Sequence, residues 1–382
     1  MAFRPTARLL RRHPRYFAHL AMKKVQFARR YRYVRERGTA AERRPPPLVY
    51  KLMLNWKCNL RCPMCMQWGD VGWVKEAPTQ AKDELPWGVV EKLFENGLPA
   101  NSSFILSGGE PTLYSRFGRL LRLLHDHKRF ATVCTNGILL DRYIDEIDGN
   151  PYGTFLISLD GNEETNDFLR GKGVHGDVMG NIEKLKSLRR PPFLAIQFTV
   201  MPKNVSQMER FCEQMVDRGI DWILLNPGWF LSQPQARHYE EFMEERFDVK
   251  PTTHLGYVQE YDYDVDEFRR QLERIKSRDW PIRIASYIKE PEWVQDFIED
   301  PEKLVGNRLC YKQWLRLDIL PDGKIAPCVQ FPDLTVGDLN TQGVDEVWHG
   351  ESNRRFQDTV HREPLPICAK CNNIYLYDGG RA

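Results

Sequence analysis

Cys58-Asn59-Leu60-Arg61-Cys62-Pro63-Met64-Cys65 follows directly on the apolar run Val49 to Leu54. Three thiols spaced C-x3-C-x2-C on one tight loop, with no histidine or fourth cysteine nearby, can face one metal centre and leave one corner of it open. A structural zinc site asks for four protein ligands, commonly as paired C-x2-C or C/H knuckles. A disulfide would leave one of the three thiols over. Thiolate ligation of an iron-sulfur cluster with one iron not held by cysteine fits the pattern best.

Outward from this loop the chain alternates. Short apolar runs at Val49 to Leu54, Ser103 to Ser107, Phe130 to Cys134, Thr154 to Leu159, Leu194 to Val200 and Trp222 to Leu225 read as strands. Helical stripes lie between them: Phe117, Leu120, Leu121 and Leu124 in one segment, and Val205, Met208, Phe211, Cys212 and Met215 in another. Six strand-then-helix units with right-handed crossovers predict a parallel sheet curved toward a barrel, a partial (β/α)6 TIM-like α/β fold. In such sheets the working residues sit on loops at the carboxyl ends of the strands. Strand one leads into the cysteine loop, strand two into Gly108-Gly109-Glu110-Pro111, strand three into Thr135-Asn136-Gly137, and strand four through Ser158 into Asp160-Gly161. Taken alone, each glycine pair or Asn-Gly dipeptide is ordinary turn punctuation. Beside the cysteines they predict a ligand site, with glycines admitting a close ligand, Glu110 offering a carboxylate to a cation, and Ser158 with Asp160 offering partners for hydroxyls.

The formal net charge of +3 conceals two different objects. Residues 1–47 hold 14 Lys and Arg against only Glu36 and Glu42, a net of +12, and the remainder is net −9. Within this basic arm Tyr16 to Arg37 reads as a helix with Phe17, Leu20, Ala21 and Ala28 on one side, interrupted by Lys24. Its readings are a solvated helix packed over the end of the body, a helix on anionic lipid or nucleic acid, and an arginine-rich targeting segment at Met1 to Arg12. No apolar run approaches the roughly 20 residues of a membrane span. Nine cysteines without a signal peptide predict reduced thiols and a cytoplasmic protein, peripheral at a membrane if the arm binds lipid. Seven of the nine suit metal ligation, while Cys134 and Cys212 read as small core hydrophobes. His125 and His127 read as solvated.

Residues 231–307 are less regular, with a helical stretch at Val265 to Ile275, an expected strand at Ile282 to Ile288, and Tyr257, Tyr261 and Tyr263 among acids, read as surface or lid. Beyond them Cys310, Cys328, Cys368 and Cys371 form C-x17-C-x39-C-x2-C, with Pro321-Asp322-Gly323-Lys324 as a hairpin turn between strands. By themselves these four thiols would suit zinc.

The C-x3-C-x2-C after the first strand, the Gly-Gly-Glu-Pro after the second and the Ser-x-Asp-Gly after the fourth resemble the radical S-adenosylmethionine (SAM) superfamily over roughly residues 48–230. The resemblance implies that Cys58, Cys62 and Cys65 hold a [4Fe-4S] cluster whose fourth iron is chelated by SAM, and that Gly108, Gly109 and Glu110 bind the methionine amino group. It implies ribose contacts at Ser158 and Asp160, and cofactor or substrate contacts at Asn136 and Arg170. Met64 stands where relatives often have an aromatic residue against adenine, which leaves the packing of that ring open. The C-terminal cysteines resemble the SPASM and twitch extensions, implying one auxiliary [4Fe-4S] cluster with every iron held by cysteine, two clusters in all.

Four units are expected: a basic arm at 1–47, the radical SAM partial barrel at 48–230, a helical connector at 231–307, and a small α+β auxiliary-cluster domain at 308–382. The implied activity is an oxidoreductase that generates a 5′-deoxyadenosyl radical, takes a hydrogen atom from substrate and, after deprotonation, passes the substrate's electron to the auxiliary cluster, with an external flavodoxin- or ferredoxin-like electron donor as a partner. A small molecule such as a sugar or aminocyclitol is the expected substrate, since the first 47 residues are too few and too basic for the winged-helix leader-binding domain that peptide maturases often carry. The alternatives are maturation of a ribosomally made peptide, radical modification of a lipid at a membrane surface, and a non-enzymatic iron-sulfur or zinc protein binding nucleic acid. The Gly108-Gly109-Glu110 loop speaks against the last, so no nucleic acid is expected. No general base stands out among the many Asp and Glu.

Overall fold

The computed structural model describes residues 5–38, 44–77, 79–95, 98–306 and 308–376. Residues 1–4 and 39–43 of the arm and the 377–382 tail lie outside the described residues. The described strands are β1 (Val49–Met53), β2 (Ser103–Ser107), β3 (Ala131–Thr135), β4 (Gly153–Ser158), β5 (Phe193–Val200), β6 (Trp222–Pro227), β7 (Arg283–Ser286), β8 (Arg316–Ile319), β9 (Lys324–Ile325) and β10 (Gly337–Asp338). They form one sheet in the order β10-β9-β8-β1-β2-β3-β4-β5-β6-β7. The run from β8 to β7 is parallel throughout, and β9 and β10 add an antiparallel hairpin edge. The six expected strands are all present, and two more flank them. β7 comes from the expected connector, and β8 from the C-terminal unit pairs directly with β1, so that unit begins as part of the barrel wall.

One face of the wall packs beneath helices. Phe104 and Leu106 of β2 are fully buried, Phe104 stacks on Phe94 at 5.5 Å, and Phe198 of β5 meets Phe211 at 4.8 Å. The opposite face is different. Lys51, Ser103, Ile105, Ser107, Thr132, Cys134, Ser158, Gln197 and Thr199 are all half-buried although their strands lie inside the sheet. Strand alternation places these residues on the side away from the helices, so their exposed area opens into a polar hollow within the barrel. Cys212 is buried in the core as expected, whereas Cys134 lines this hollow.

The arm closes the other end. Helix Pro14–Arg37 runs across the starts of the strands. Just before it, His13 and Arg12 pair with Asp221 at 3.2 and 3.5 Å. Tyr16 stacks on Phe193 at 3.9 Å, His19 stacks on Phe130 at 4.0 Å, and Lys23 Nζ donates to the Leu48 carbonyl at 2.7 Å. Arg30 donates to the carbonyls of Pro45 (3.1 Å), Pro46 (2.8 Å) and Trp314. The buried face is thus Lys23, Arg30, Tyr31 and Val34, not the anticipated Phe17-Leu20-Ala21-Ala28 stripe, of which Ala21 and Ala28 are exposed. The reason is the floor it covers: backbone carbonyls at and beside the strand starts are acceptors that cations satisfy and apolar side chains do not. Burial correspondingly pushes the Lys23 ammonium down to about 7.

Replacing Arg30 by Ala strips these three carbonyls of their donor, and we expect a loss of about 2 to 4 kcal/mol in urea unfolding followed by circular dichroism, against about 0.5 kcal/mol or less for Ala at exposed Arg29. Equal unfolding midpoints for the two variants would contradict the arm's role as a packed floor.

Candidate active site

The loop that leaves β1 is pinned to the loop that leaves β2. Gly109 N–H donates to the Asn55 carbonyl at 2.9 Å and Glu110 N–H to the Lys57 carbonyl at 2.7 Å. A Cβ on Gly108 would stand 2.5 Å from the Asn55 oxygen, and one on Gly109 2.3 Å from the Lys57 oxygen. These glycines are required by the contact of two backbones, which brings the Gly-Gly-Glu loop against the cysteine loop. Cys58, Cys62 and Cys65 lie within electrostatic reach of one another. Burial pushes the Cys58 thiol up to about 12 and Cys62 to about 11, with Arg170 pulling Cys62 the other way. Such thiols ionise only when a strong local cation compensates, which bound iron supplies.

Glu110 is buried, and its carboxylate is engaged by four donors of the protein, three of them on Oε1. Oε1 accepts from Thr112 N–H (3.1 Å), the Thr112 hydroxyl (2.7 Å) and the Thr135 hydroxyl (2.7 Å), and Oε2 accepts from Asn136 N–H (2.7 Å). It clamps the end of β3 onto the β2 loop, in place of the open carboxylate read from the sequence. Asn136 continues the chain of contacts, its Nδ2 donating to Asn59 Oδ1 at 2.8 Å on the cysteine loop. Asp160 is likewise fully buried: Oδ1 accepts from Thr199 N–H at 2.6 Å and Oδ2 meets Arg170 NH2 at 2.7 Å. That pair holds the Arg170 guanidinium within reach of Cys62 and Cys65. Of the expected ribose partners, Ser158 faces the hollow and Asp160 serves Arg170. Cys58, Cys62, Cys65, Gly108, Gly109, Glu110, Asn136, Ser158, Asp160 and Arg170 therefore converge at one end of the sheet, through two carboxylate clamps.

The second set is assembled by a buried ion cluster that the sequence reading missed. Asp318 on β8 accepts from Arg316 Nε at 2.6 Å and NH2 at 3.1 Å, pairs with Lys312 Nζ at 2.8 Å, and accepts from Val329 N–H at 3.4 Å. Lys312 also donates to the Pro327 carbonyl, which receives Gln313 Nε2 at 2.9 Å as well. Arg316 NH1 donates to Asn373 Oδ1 at 3.1 Å, and Asn373 Nδ2 lies 3.7 Å from the Cys371 sulfur. One carboxylate thus fixes the segments that carry Cys310, Cys328 and Cys371. Burial opposes ionisation of Asp318, but Arg316 and Lys312 outweigh it and hold the carboxyl at about 2. The four thiols act on one another electrostatically, as a single converging set. A signal was present in the sequence: Arg316 and Asp318 are two charges at strand period, which places both on one face of a strand.

The connector is built into the site. Tyr257 and Tyr263 are buried, contrary to the surface or lid expectation, because their hydroxyls find acceptors at Gln330 (3.2 Å to Oε1) and the Val200 carbonyl (2.9 Å). Tyr257 lies within electrostatic reach of Cys65 from one set and of Cys328 and Cys371 from the other. It stands between them.

All nine cysteines are free thiols. Among the described residues no three His, Cys, Asp or Glu side chains close around a single ion. A cubane cluster asks for another arrangement, since each thiolate takes a different iron and the thiols surround a body, not a point. Both cysteine sets fit a cluster better than one tetrahedral ion.

Asp318→Asn leaves Lys312 and Arg316 buried without their counter-charge, and a loss of about 3 to 5 kcal/mol is expected in denaturant unfolding. Its pH dependence has a definite sign. The Asp318 carboxyl lies below its ordinary value of 3.8, so its stabilisation is present above pH 4 and fades as pH falls toward 2. The variant should lack that part of the acid sensitivity, and identical acid profiles for both proteins would contradict the assignment.

Comparison with known proteins places these features. Residues 57–215 match the radical SAM superfamily and residues 310–372 the SPASM iron-sulfur cluster-binding domain. The chain is 23% identical over 350 residues to the antilisterial bacteriocin subtilosin biosynthesis protein AlbA of Bacillus subtilis, covering 87% of this chain and 68% of AlbA. It is 28% identical over 352 residues to the mycofactocin maturase MftC of Mycolicibacterium smegmatis (90% and 79%) and 29% identical over 345 residues to the pre-heme d1 synthase of Dinoroseobacter shibae (86% and 78%). In structure it resembles SuiB of Streptococcus suis, with a TM-score of 0.58 at 16% identity, over 80% of this chain and 66% of SuiB, a likeness of fold. The chain therefore spans about two thirds of the length of AlbA and SuiB. With its cysteine sets, its parallel barrel and both matched regions in agreement, the chain belongs to the radical SAM superfamily, with [4Fe-4S] and SAM as cofactors and a SPASM-type iron-sulfur domain at its C-terminal side.

Proposed function

We propose that this chain is an oxidoreductase that matures a ribosomally made peptide. The observation that carries this reading is that similarity to AlbA and MftC runs through 87% and 90% of the chain, spanning both cysteine sets and the connector that joins them. This revises the small-molecule substrate expected from the short arm. Cluster and SAM, when bound, supply hydrogen-atom abstraction and a sink for the remaining electron. The protein's own part is positioning and exclusion. Cys58, Cys62 and Cys65 would hold the first cluster, Cys310, Cys328, Cys368 and Cys371 the second, and the polar hollow would take the substrate. The helix Pro14–Arg37 keeps the floor closed, so that a reactive carbon radical is shielded from water on that side.

A second reading, oxidation of a small molecule, is supported by the 29% identity to a pre-heme d1 synthase over 86% of the chain. The two separate in one experiment. Anaerobic protein with reductant, SAM and a candidate precursor peptide should give 5′-deoxyadenosine and a peptide lighter by pairs of hydrogen atoms, read by mass spectrometry. Cys62→Ala should abolish both products. Formation of 5′-deoxyadenosine with the peptide unchanged, and a small-molecule extract consumed, would favour the second reading.

A further inference from the structure

Among the described residues, Lys51 is a cation in the wall of the hollow outside the hydrogen-bond networks of both cofactor sites. It stands on β1 opposite Asp318 of β8 on one side and Ile105 of β2 on the other, seven residues before Cys58. Both oxygens of Asp318 are already taken by Arg316, Lys312 and the Val329 N–H. Among the described residues the Lys51 ammonium has no close hydrogen-bond acceptor or ion-pair contact, only the longer-range attraction of Asp318 and Cys134. The charged and titratable groups that face it are Asp318 and Cys134, which favour its ammonium, and Arg316 and Lys312, which oppose it. Three cations thus share one carboxylate. Burial and the two neighbouring cations push Lys51 down to about 8, so near neutral pH it is still mostly charged and lacks an acceptor. A half-buried ammonium that shares one already occupied carboxylate and has no acceptor of its own is unfavourable, and an anion placed against it would relieve that. Cys134 lies within electrostatic reach of both Lys51 and Glu110, which places Lys51 in the hollow near the Glu110 loop.

We propose that Lys51 holds a carboxylate of the substrate inside the barrel, so that the reacting segment carries an acidic group. Naming that group as an acidic side chain or the C-terminus of a peptide rests on the peptide reading above. The carboxylate preference itself does not, and the two fail separately.

The test uses the full chain, reconstituted anaerobically, in equilibrium dialysis against radiolabelled glutarate, with glutaramide as a neutral competitor of the same size. Wild type should bind glutarate and glutaramide should not displace it. Lys51→Met should weaken binding at least about tenfold, the loss of one charge-assisted hydrogen bond, while Lys51→Arg, which keeps the charge, should retain it. Absence of glutarate binding by wild type, displacement by glutaramide, or equal binding by Lys51→Met would each overturn the proposal. In the last case a lowered reduction potential of the auxiliary site in Lys51→Met would show that the charge serves the cluster instead. If glutarate binds as expected and the precursor peptide is not modified, the substrate is an acidic small molecule and only the peptide reading falls.

Discussion

The C-terminal cysteine set and its seat beside the barrel hang on one buried carboxylate. Asp318 binds Arg316 and Lys312 on its own segment, and through them the chain just before Cys328 and just after Cys371. It also sits on a strand whose ladder with β1 is parallel and in register from Val49↔Arg316 to Leu52↔Ile319. The chain that leaves β1 becomes the Cys58 loop within a few residues. The separation of the two cysteine sets is therefore set by a strand pair, which is stiff, and not by a linker between two domains. A buried ion pair is weak evidence for added stability, yet losing one partner is costly, because the remaining charge has nowhere to go. That asymmetry suits a site where geometry must hold whether or not metal is bound.

The same device recurs wherever the chain must fix a loop. Glu110 gathers four donors to join the ends of β2 and β3, Asp160 holds Arg170 beside Cys62, and Arg30 ties the arm to three carbonyls. Each is a buried charged group with at least one backbone partner, and each lies at an end of the parallel strands. The middle of the strands is apolar on the helix side and mixed on the inner side, where Lys51, Thr132, Ser158, Gln197 and Thr199 sit among apolar residues such as Ile105 and Leu156. The result is a barrel with a sealed floor, a lined hollow and a rim of pinned loops, which is what hydrogen-atom chemistry requires of its container.

Much of this was legible from residue order. Cys58, Cys62 and Cys65, the glycines of the β2 loop and the six central strands carry local signals: metal-ligand spacing, turn chemistry and strand-then-helix alternation. What was not legible depends on partners distant in sequence. Glu110 reads as a ligand carboxylate alone, and its clamp onto Thr112, Thr135 and Asn136 emerges only with the fold. Tyr257 reads as surface until Gln330 takes its hydroxyl. The buried face of the arm was misread because hydrophobic periodicity counts apolar residues, and the helix instead buries Lys23 and Arg30 against carbonyls of Leu48, Pro45, Pro46 and Trp314. Strands are expected at Ile282 to Ile288 and beside the Pro321 turn, where β7 and β8 lie, but that β7 joins β6 and β8 joins β1 in the barrel sheet depends on pairing that residue order does not carry.

The most direct measurement is Mössbauer spectroscopy of the chain reconstituted anaerobically with 57Fe, recorded before and after addition of SAM. The two cysteine sets predict two [4Fe-4S] clusters per chain in equal amount. SAM should perturb one iron of one cluster, the cluster with three cysteine ligands, and leave the other unchanged. A single cluster per chain, or a second cluster whose spectrum also responds to SAM, would contradict the account of one open and one closed site.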